Sequence, residues 1–463
     1  MTKLLSALLS ALMLLGLAAC SDTDRPDARH PVTLTIWHTY VEQMGDAFAE
    51  LINEFNDTVG AEGGVRIEVA AIANATELNE RLMDAAGGVP GAPELPDLAV
   101  LYPKIALQLA NRGLLTDFSE HFSEEELGRY VPHFLEEGRL GGDKLYLLPV
   151  AKSTEVLYVN RTIFDRFAAD TGVELAQLET FEGIYAAAEA YYIWTDAQTP
   201  DVDSDGKAFY YSDSIFNHAV IGFEQQGRDF LAGQRLNVDD PAYGRIWDGY
   251  YPLAVRGGVA IYNNYGNYLA MTGDAVCITG TSAGAMYYPD SVTYADNSKE
   301  DVVFDVLPYP VYAGGEKVAM QRGGGICALK SEPRKAVAAA IFLKWFTDPG
   351  QNLRFTSTSG YLPVTQKAFG RLTQDGGEPY SQNPMIQRML ETTAAMQSEY
   401  RFYIPQVFER YDALSLTYSS EIYELARQNR MQYLNLLEAG QSAEDAWQQV
   451  SEDAFERLAD ALS

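Results

Sequence analysis

The segment Gly280-Thr281-Ser282-Ala283-Gly284 has the G-x-S-x-G spacing with which a hydrolase presents a nucleophilic serine on a sharp turn. Such a serine needs a histidine base, which in that arrangement follows it in the chain. All five histidines, His30, His38, His121, His133 and His218, precede Ser282, which removes the usual order, although unrelated triads use others. The competing reading is a loop of small residues whose amides and hydroxyls donate hydrogen bonds to a bound molecule. The chain is therefore read as a non-enzyme with no catalytic residue, and a secreted serine hydrolase using Ser282 is kept as the alternative from another class. Asp201-Val202-Asp203-Ser204-Asp205-Gly206 opens with the spacing of a calcium loop, in which alternating carboxylates converge and the glycine permits a sharp turn. Its twelfth position is Ser212 rather than glutamate, so Asp201, Asp203 and Asp205 are a weak calcium candidate and a plain acidic turn is favoured. The histidines show no metal-ligand spacing, and no cofactor is expected.

Aromatic residues are the other chemical resource. The chain holds 29 tyrosines and 5 tryptophans, and aromatic faces pack against the apolar faces of sugars and polyols. A small-ligand pocket has room for only a few, so most pack elsewhere; Trp37, Trp194 and Tyr361 are the candidate walls. Lys152 and Arg322 are basic residues in a chain of net charge -30. They suit a ligand with an acid group, or equally a rim where they pair with local carboxylates. Charge of this sign repels nucleic acid and favours a solvated surface.

These residues need elements to position them. Leu34-Thr35-Ile36-Trp37 reads as a buried strand, followed by Met44, Phe48, Leu51, Ile52 and Phe55 at helical spacing. Val65–Val69 alternates as a strand, 76–86 reads as a helix, and 96–101 is another buried strand. The order βαβαβ implies a parallel sheet covered by helices, with Trp37, His38, Asn74, Tyr102 and Pro103 at the carboxyl ends of its strands, where ligand sites form. The extended stretch 147–160 is long enough to pass between domains. Further crossings are expected at 306–311 and around 348–350, after a helix over 336–346. Three crossings make two discontinuous lobes, 31–150 with 309–350 and 151–308 with 351–463. The end of the chain is helical, with Ile422, Leu425, Met431, Leu434 and Leu437 on one pattern and Trp447, Val450, Phe455, Leu458 and Leu462 on another. With 463 residues, two domains are the natural expectation.

The N-terminus carries Lys3 and an apolar run from Leu4 to Leu17, too short to span a membrane and suited to a secretory signal over 1–19. Its end, Leu17-Ala18-Ala19-Cys20, resembles the lipobox of bacterial lipoproteins. That resemblance makes Cys20 the acylated anchor and 20–30 a polar tether, and implies an exported protein on the membrane, facing the periplasm or cell exterior. Of the other two cysteines, Cys277 and Cys327, a single bridge and two separately buried thiols are both open.

Several motifs in order extend the resemblance over nearly the whole mature chain. They are Thr35-Ile36-Trp37-His38-Thr39, the stretch from Leu148 to Asn160, the 280–284 loop, Gly323-Gly324-Gly325, and Thr358-Ser359-Gly360-Tyr361-Leu362-Pro363-Val364. Together they resemble the extracellular solute-binding proteins (family 1) of bacterial ABC importers, in the carbohydrate and glycerol-3-phosphate-binding branch. The resemblance implies an α/β, two-lobed periplasmic-binding-protein-like fold, discontinuous, with a hinge and a ligand cleft between the lobes. It implies a monomer that captures a carbohydrate or polyol derivative, closes around it and delivers it to membrane permease subunits. Its sharper alternative is a receptor for glycerol-3-phosphate or a glycerophosphodiester. Carried over residue by residue, it adds Ser153, Ser282, Gly323, Gly324 and Tyr361 to the pocket, with Arg401, ahead of Pro405-Gln406, as the phosphate partner. Trp37, His38, Lys152, Trp194, Thr281 and Arg322 complete the candidate set. The chain departs from the branch near Ala75 and Pro103, where the family places a tyrosine and a glutamate against glycerol hydroxyls.

Overall fold

The computed structural model describes residues 25–140, 142–372 and 379–462. Cys20 and the signal segment lie outside the described residues. In chain order the strands are β1 (Val32–His38), β2 (Val65–Ala71), β3 (Leu98–Leu101), β4 (Glu155–Asn160), β5 (Tyr210–Ser212) and β6 (Cys277–Thr281), then β7 (Ser291–Thr293), β8 (Lys299–Asp301), β9 (Phe304–Leu307), β10 (Val318–Met320), β11 (Gly325–Ala328) and β12 (Arg401–Tyr403).

Chain contacts divide the protein into two units, one built from the chain up to Val150 with Gly324–Asn352, the other from Ala151–Gly323 with the chain from Leu353 on. In the first, β1 lies between β2 and β3, parallel to both, and β11 closes the β3 edge antiparallel. Strand alternation sorts its side chains. His38, at one end of β1, meets Phe48 edge-on at 4.9 Å, from the helix Glu42–Asp57, which buries Met44, Phe48, Leu51, Ile52 and Phe55 as its spacing predicts. Trp37 sits in a separate apolar cluster with Leu78, Leu82, Ala99 and Leu109. The helix Pro333–Phe346 returns to this layer, setting Phe346 and Phe342 against Phe48 and Phe55 at 5.5 and 5.2 Å.

The second unit is built on a sheet of order β5-β6-β4-β9, with β5 and β6 parallel and β4 antiparallel to both its neighbours. Every residue of β4 is buried. Residues 309–323, which the sequence places in the first lobe, stay in this unit. Val311 donates its N–H to Glu179 and Tyr312 packs against Phe181 and His218. The chain leaves only at Gly323-Gly324, where a Cβ on Gly324 would stand 2.3 Å from the Leu101 carbonyl oxygen.

The long helix Tyr411–Glu438 buries Ile422 and Leu425 as read in the sequence, but its inward face then runs through Asn429 and Tyr433 and not through Met431. Tyr418, Ile422, Leu425, Ala426, Asn429 and Tyr433 are buried and Met431 is 56 % exposed. The buried set keeps the helical period only when Asn429 is counted as inward, and its amide is satisfied there by the Val450 carbonyl and the Tyr251 hydroxyl. Cys277 and Cys327 are buried free thiols on β6 and β11, in separate sheets. No helix among the described residues is long and apolar enough to cross a membrane.

Candidate functional site

Three chain segments meet in the second unit at the Glu155 end of β4. Ser153 and Arg322 exchange backbone hydrogen bonds of 2.9 and 2.7 Å, and Lys152 and Leu362 do the same at 3.1 and 2.6 Å. The Lys152 side chain is 1 % exposed and its Nζ donates to the Gly323 carbonyl at 2.8 Å. Gly323 has φ +91°, in the left-handed region, and a Cβ there would lie 3.0 Å from Lys152 Cα. Gly360, at φ +73°, brings the Gly360-Tyr361 turn against Ser282, whose carbonyl oxygen would lie 3.1 Å from an added Cβ.

Across this junction, Glu155 and Arg322 pair at 3.2 Å, and Asn217 donates to the same Glu155 oxygen at 2.6 Å. Glu155 is buried, and burial pushes its carboxyl above the usual range while the Arg322 guanidinium opposes the shift. Asp213 stands just beyond the carboxyl end of β5. Its Oδ1 accepts the Gly266 N–H at 2.6 Å, and burial raises it to about 6, with Gly266 and Arg322 opposing and Glu155 adding to the rise.

The serine of the G-x-S-x-G segment is fully buried. Its Oγ accepts the Thr154 N–H at 3.2 Å and its own N–H donates to the Thr154 carbonyl. Thr281 caps the short turn of helix that follows, accepting from Ala283 N–H. Ser282 thus staples two strand ends together and is not presented as a nucleophile. His218 lies instead between the Tyr312 and Tyr185 hydroxyls, at 2.9 and 3.1 Å from its Nε2, and burial lowers it to about 3.

The structure brings Lys152, Ser153, Thr281, Ser282, Arg322, Gly323 and Tyr361 to one junction, and places Trp194 and Arg401 elsewhere in the same unit. Trp194 donates its Nε1 to Asp170 at 3.0 Å and lines a cavity of about 690 Å³ with Ile163 and Gly273. Among the described residues, none of those at the junction lines that cavity. Arg401 pairs with Glu224 at 2.9 Å and with Glu316 at 3.9 Å, beside Val318 and upstream of Arg322 on that segment. Trp37, His38 and Gly324 belong to the first unit, where Trp37 is core and His38 accepts the Tyr40 N–H at 3.2 Å. Asp205 accepts from the Thr199 hydroxyl, and among the described residues no group of three or more His, Cys, Asp or Glu side chains converges to hold a metal. Glu155, Asp213 and Asn217 were not singled out by sequence reasoning. The available signal was position, because Asp213 directly follows a strand that pairs in parallel, at the edge where ligand sites form.

A family model described as bacterial extracellular solute-binding protein matches residues 50–385. Comparison with curated proteins found no match. Among solved structures, the cyclic alpha-maltosyl-1,6-maltose binding protein of Arthrobacter globiformis is similar at 21 % identity and TM-score 0.64, covering 93 % of this chain and 100 % of that one. UgpB of Mycobacterium tuberculosis in complex with glycerophosphocholine is similar at 18 % identity and TM-score 0.64, with coverage of 93 % and 100 %. The sugar-binding protein MalE of Xanthomonas citri gives 15 % and 0.64, with coverage of 93 % and 98 %.

The raised carboxyl of Asp213 has a pH signature. The folded chain holds that proton more tightly than the unfolded chain, so this group favours folding below about pH 4, and the contribution is lost as pH climbs through about 6. Asp213→Asn keeps an oxygen for Gly266 and removes the ionisation. It should be more stable than the wild type by about 1 to 2 kcal/mol above pH 6, after discounting for partial exposure. Denaturant unfolding from pH 4 to 8 checks this, and the two curves should converge at the acid end.

Proposed function

Because the chain belongs to the bacterial extracellular solute-binding protein family, we propose that it captures a carbohydrate or polyol derivative and delivers it to the membrane permease of an ABC importer. It is a binding protein rather than an enzyme, and its family is one of exported proteins. The observation that carries the reading is the junction at the end of β4. Arg322, Glu155 and Asn217 form a half-open polar cluster there, on the backbone junction that also carries the Gly360-Tyr361 turn and the Ser282 loop. A hydroxylated solute needs such a mixture of fixed donors and acceptors, with an aromatic wall for its apolar face.

The glycerol-3-phosphate or glycerophosphodiester alternative draws support from the similarity to UgpB. It has less from this chain's own cations. Arg401 faces two carboxylates, Arg322 is bonded to Glu155, and Lys152 Nζ donates to a backbone carbonyl. A neutral or mixed-charge solute fits that arrangement better than a bare phosphate.

Titration calorimetry with a panel of sugars, oligosaccharides, polyols and glycerol phosphates tests the proposal. Binding of at least one compound is expected, with no turnover of it. Arg322→Lys keeps the charge beside Glu155 but loses the planar fork of the guanidinium, and should weaken binding by about tenfold or more. A wild-type protein that binds nothing in the panel, or that turns a bound compound over, contradicts the reading.

The anchor is a separate part of the proposal, supported by Leu17-Ala18-Ala19-Cys20. Acylation of Cys20 would hold the protein at the membrane without a spanning helix, because each buried methylene contributes about 0.8 kcal/mol. In cell fractionation, Cys20→Ser should move the protein from the membrane to the soluble fraction. An unchanged distribution would remove the anchor from the account.

A further inference from the structure

The cavity beside Asp213 has a carboxylate and aromatic walls and, among the described residues, no cation in its lining. It encloses about 340 Å³ and is lined by Asp213 with Tyr211, Tyr265, Tyr423, Ser214 and Asn264, among others; among the described residues no lysine, arginine or histidine is in its wall. Asp213 Oδ1 is taken by the Gly266 N–H, while Oδ2 accepts no hydrogen bond from a described residue. Arg322 is the cation whose field reaches Asp213, yet its bond goes to Glu155. The cluster therefore sets two carboxylates against one guanidinium.

The tyrosines add to the same preference. Tyr211 donates its hydroxyl hydrogen to the Tyr262 and Asn264 carbonyls, so it offers a ligand ring surface and an acceptor oxygen and no donor. Tyr265 is 69 % exposed at the start of the helix Gly266–Thr272. Aromatic faces attract ammonium groups, and the attraction grows where water is excluded. A carboxylate oxygen with no partner and a lining with no cation, both among the described residues, together with aromatic walls select a positively charged nitrogen. The cavity's volume, at the lower end of small-ligand pockets, suits one end of a solute and not a whole oligosaccharide.

We infer that the solute carries an ammonium group, held by Asp213 and the tyrosines of this cavity; the inference rests on the solute-binding reading of this unit. An amino sugar and a choline-bearing polyol both meet the requirement, and a neutral sugar does not.

The test is calorimetric titration of the mature protein with glucosamine hydrochloride and choline chloride, against glucose with matched sodium chloride. At least one cation should bind tenfold or more tightly than glucose. Asp213→Asn should abolish that preference, and Trp194→Phe, in the separate cavity with Ile163 and Gly273, should leave it in place. Thermal melting of each variant reports that it is folded, and Asp213→Asn keeps the oxygen that accepts from Gly266. Equal responses to cations and glucose in the wild type, including no response to either, overturn the inference, as does a preference that survives in Asp213→Asn. If the earlier panel yields a ligand while the cation preference is missing, this inference alone fails. If the preference is present but no member of the panel binds, the carbohydrate reading fails and the ammonium site stands.

Discussion

Glu155 is a buried carboxylate, and the junction around it is built on the need to keep that charge from standing alone. Removing the half-exposed Arg322 guanidinium would leave the buried Glu155 carboxylate uncompensated. Its partner, Arg322, comes from a segment far along the chain, and Asn217 from a third. Once these are fixed, the backbone follows. Ser153 pairs with Arg322, Lys152 with Leu362, and Ser282 with Thr154, so the polar cluster and the strand ends hold one another in register.

The same constraint explains the glycines. Gly323 takes a left-handed conformation so that its carbonyl can meet the Lys152 ammonium, and Gly360 lets the Tyr361 turn approach Ser282. A side chain at either position would push apart segments that the ion pair draws together. The small residues that look in sequence like a nucleophile's turn are thus required by close packing of backbone. Ser282 serves that packing with both its hydroxyl and its amide.

Much of the fold is legible in the sequence because it rests on periodicity. Met44, Phe48, Leu51, Ile52 and Phe55 announce their helix, and the βαβαβ order gives the parallel strands of the first sheet. The helix Tyr411–Glu438 was harder, since its inward face includes Asn429 and two tyrosines while Met431 faces out. The departure of the chain at Gly323-Gly324 was misplaced because Tyr309-Pro310 reads as a linker, whereas Tyr312 is anchored by aromatic contacts. In the site, the motif residues converge as a group, but the carboxylates do not stand out. In a chain with 64 acidic residues, Glu155 and Asp213 look like surface until burial distinguishes them. Trp194 is a candidate by residue type and Arg401 by its place ahead of Pro405-Gln406, and their partners, Asp170 and Glu224, come from elements that sequence does not bring near.

The central claim is that solute is recognised by the polar cluster at the end of β4 and the cavity beside it. A crystal structure of the protein grown with the tightest-binding member of the solute panel tests this most directly. The account predicts solute within hydrogen-bonding distance of Arg322 or Asn217, with one end against Asp213. Solute seated instead in the cavity beside Trp194, or against Arg401, would contradict it.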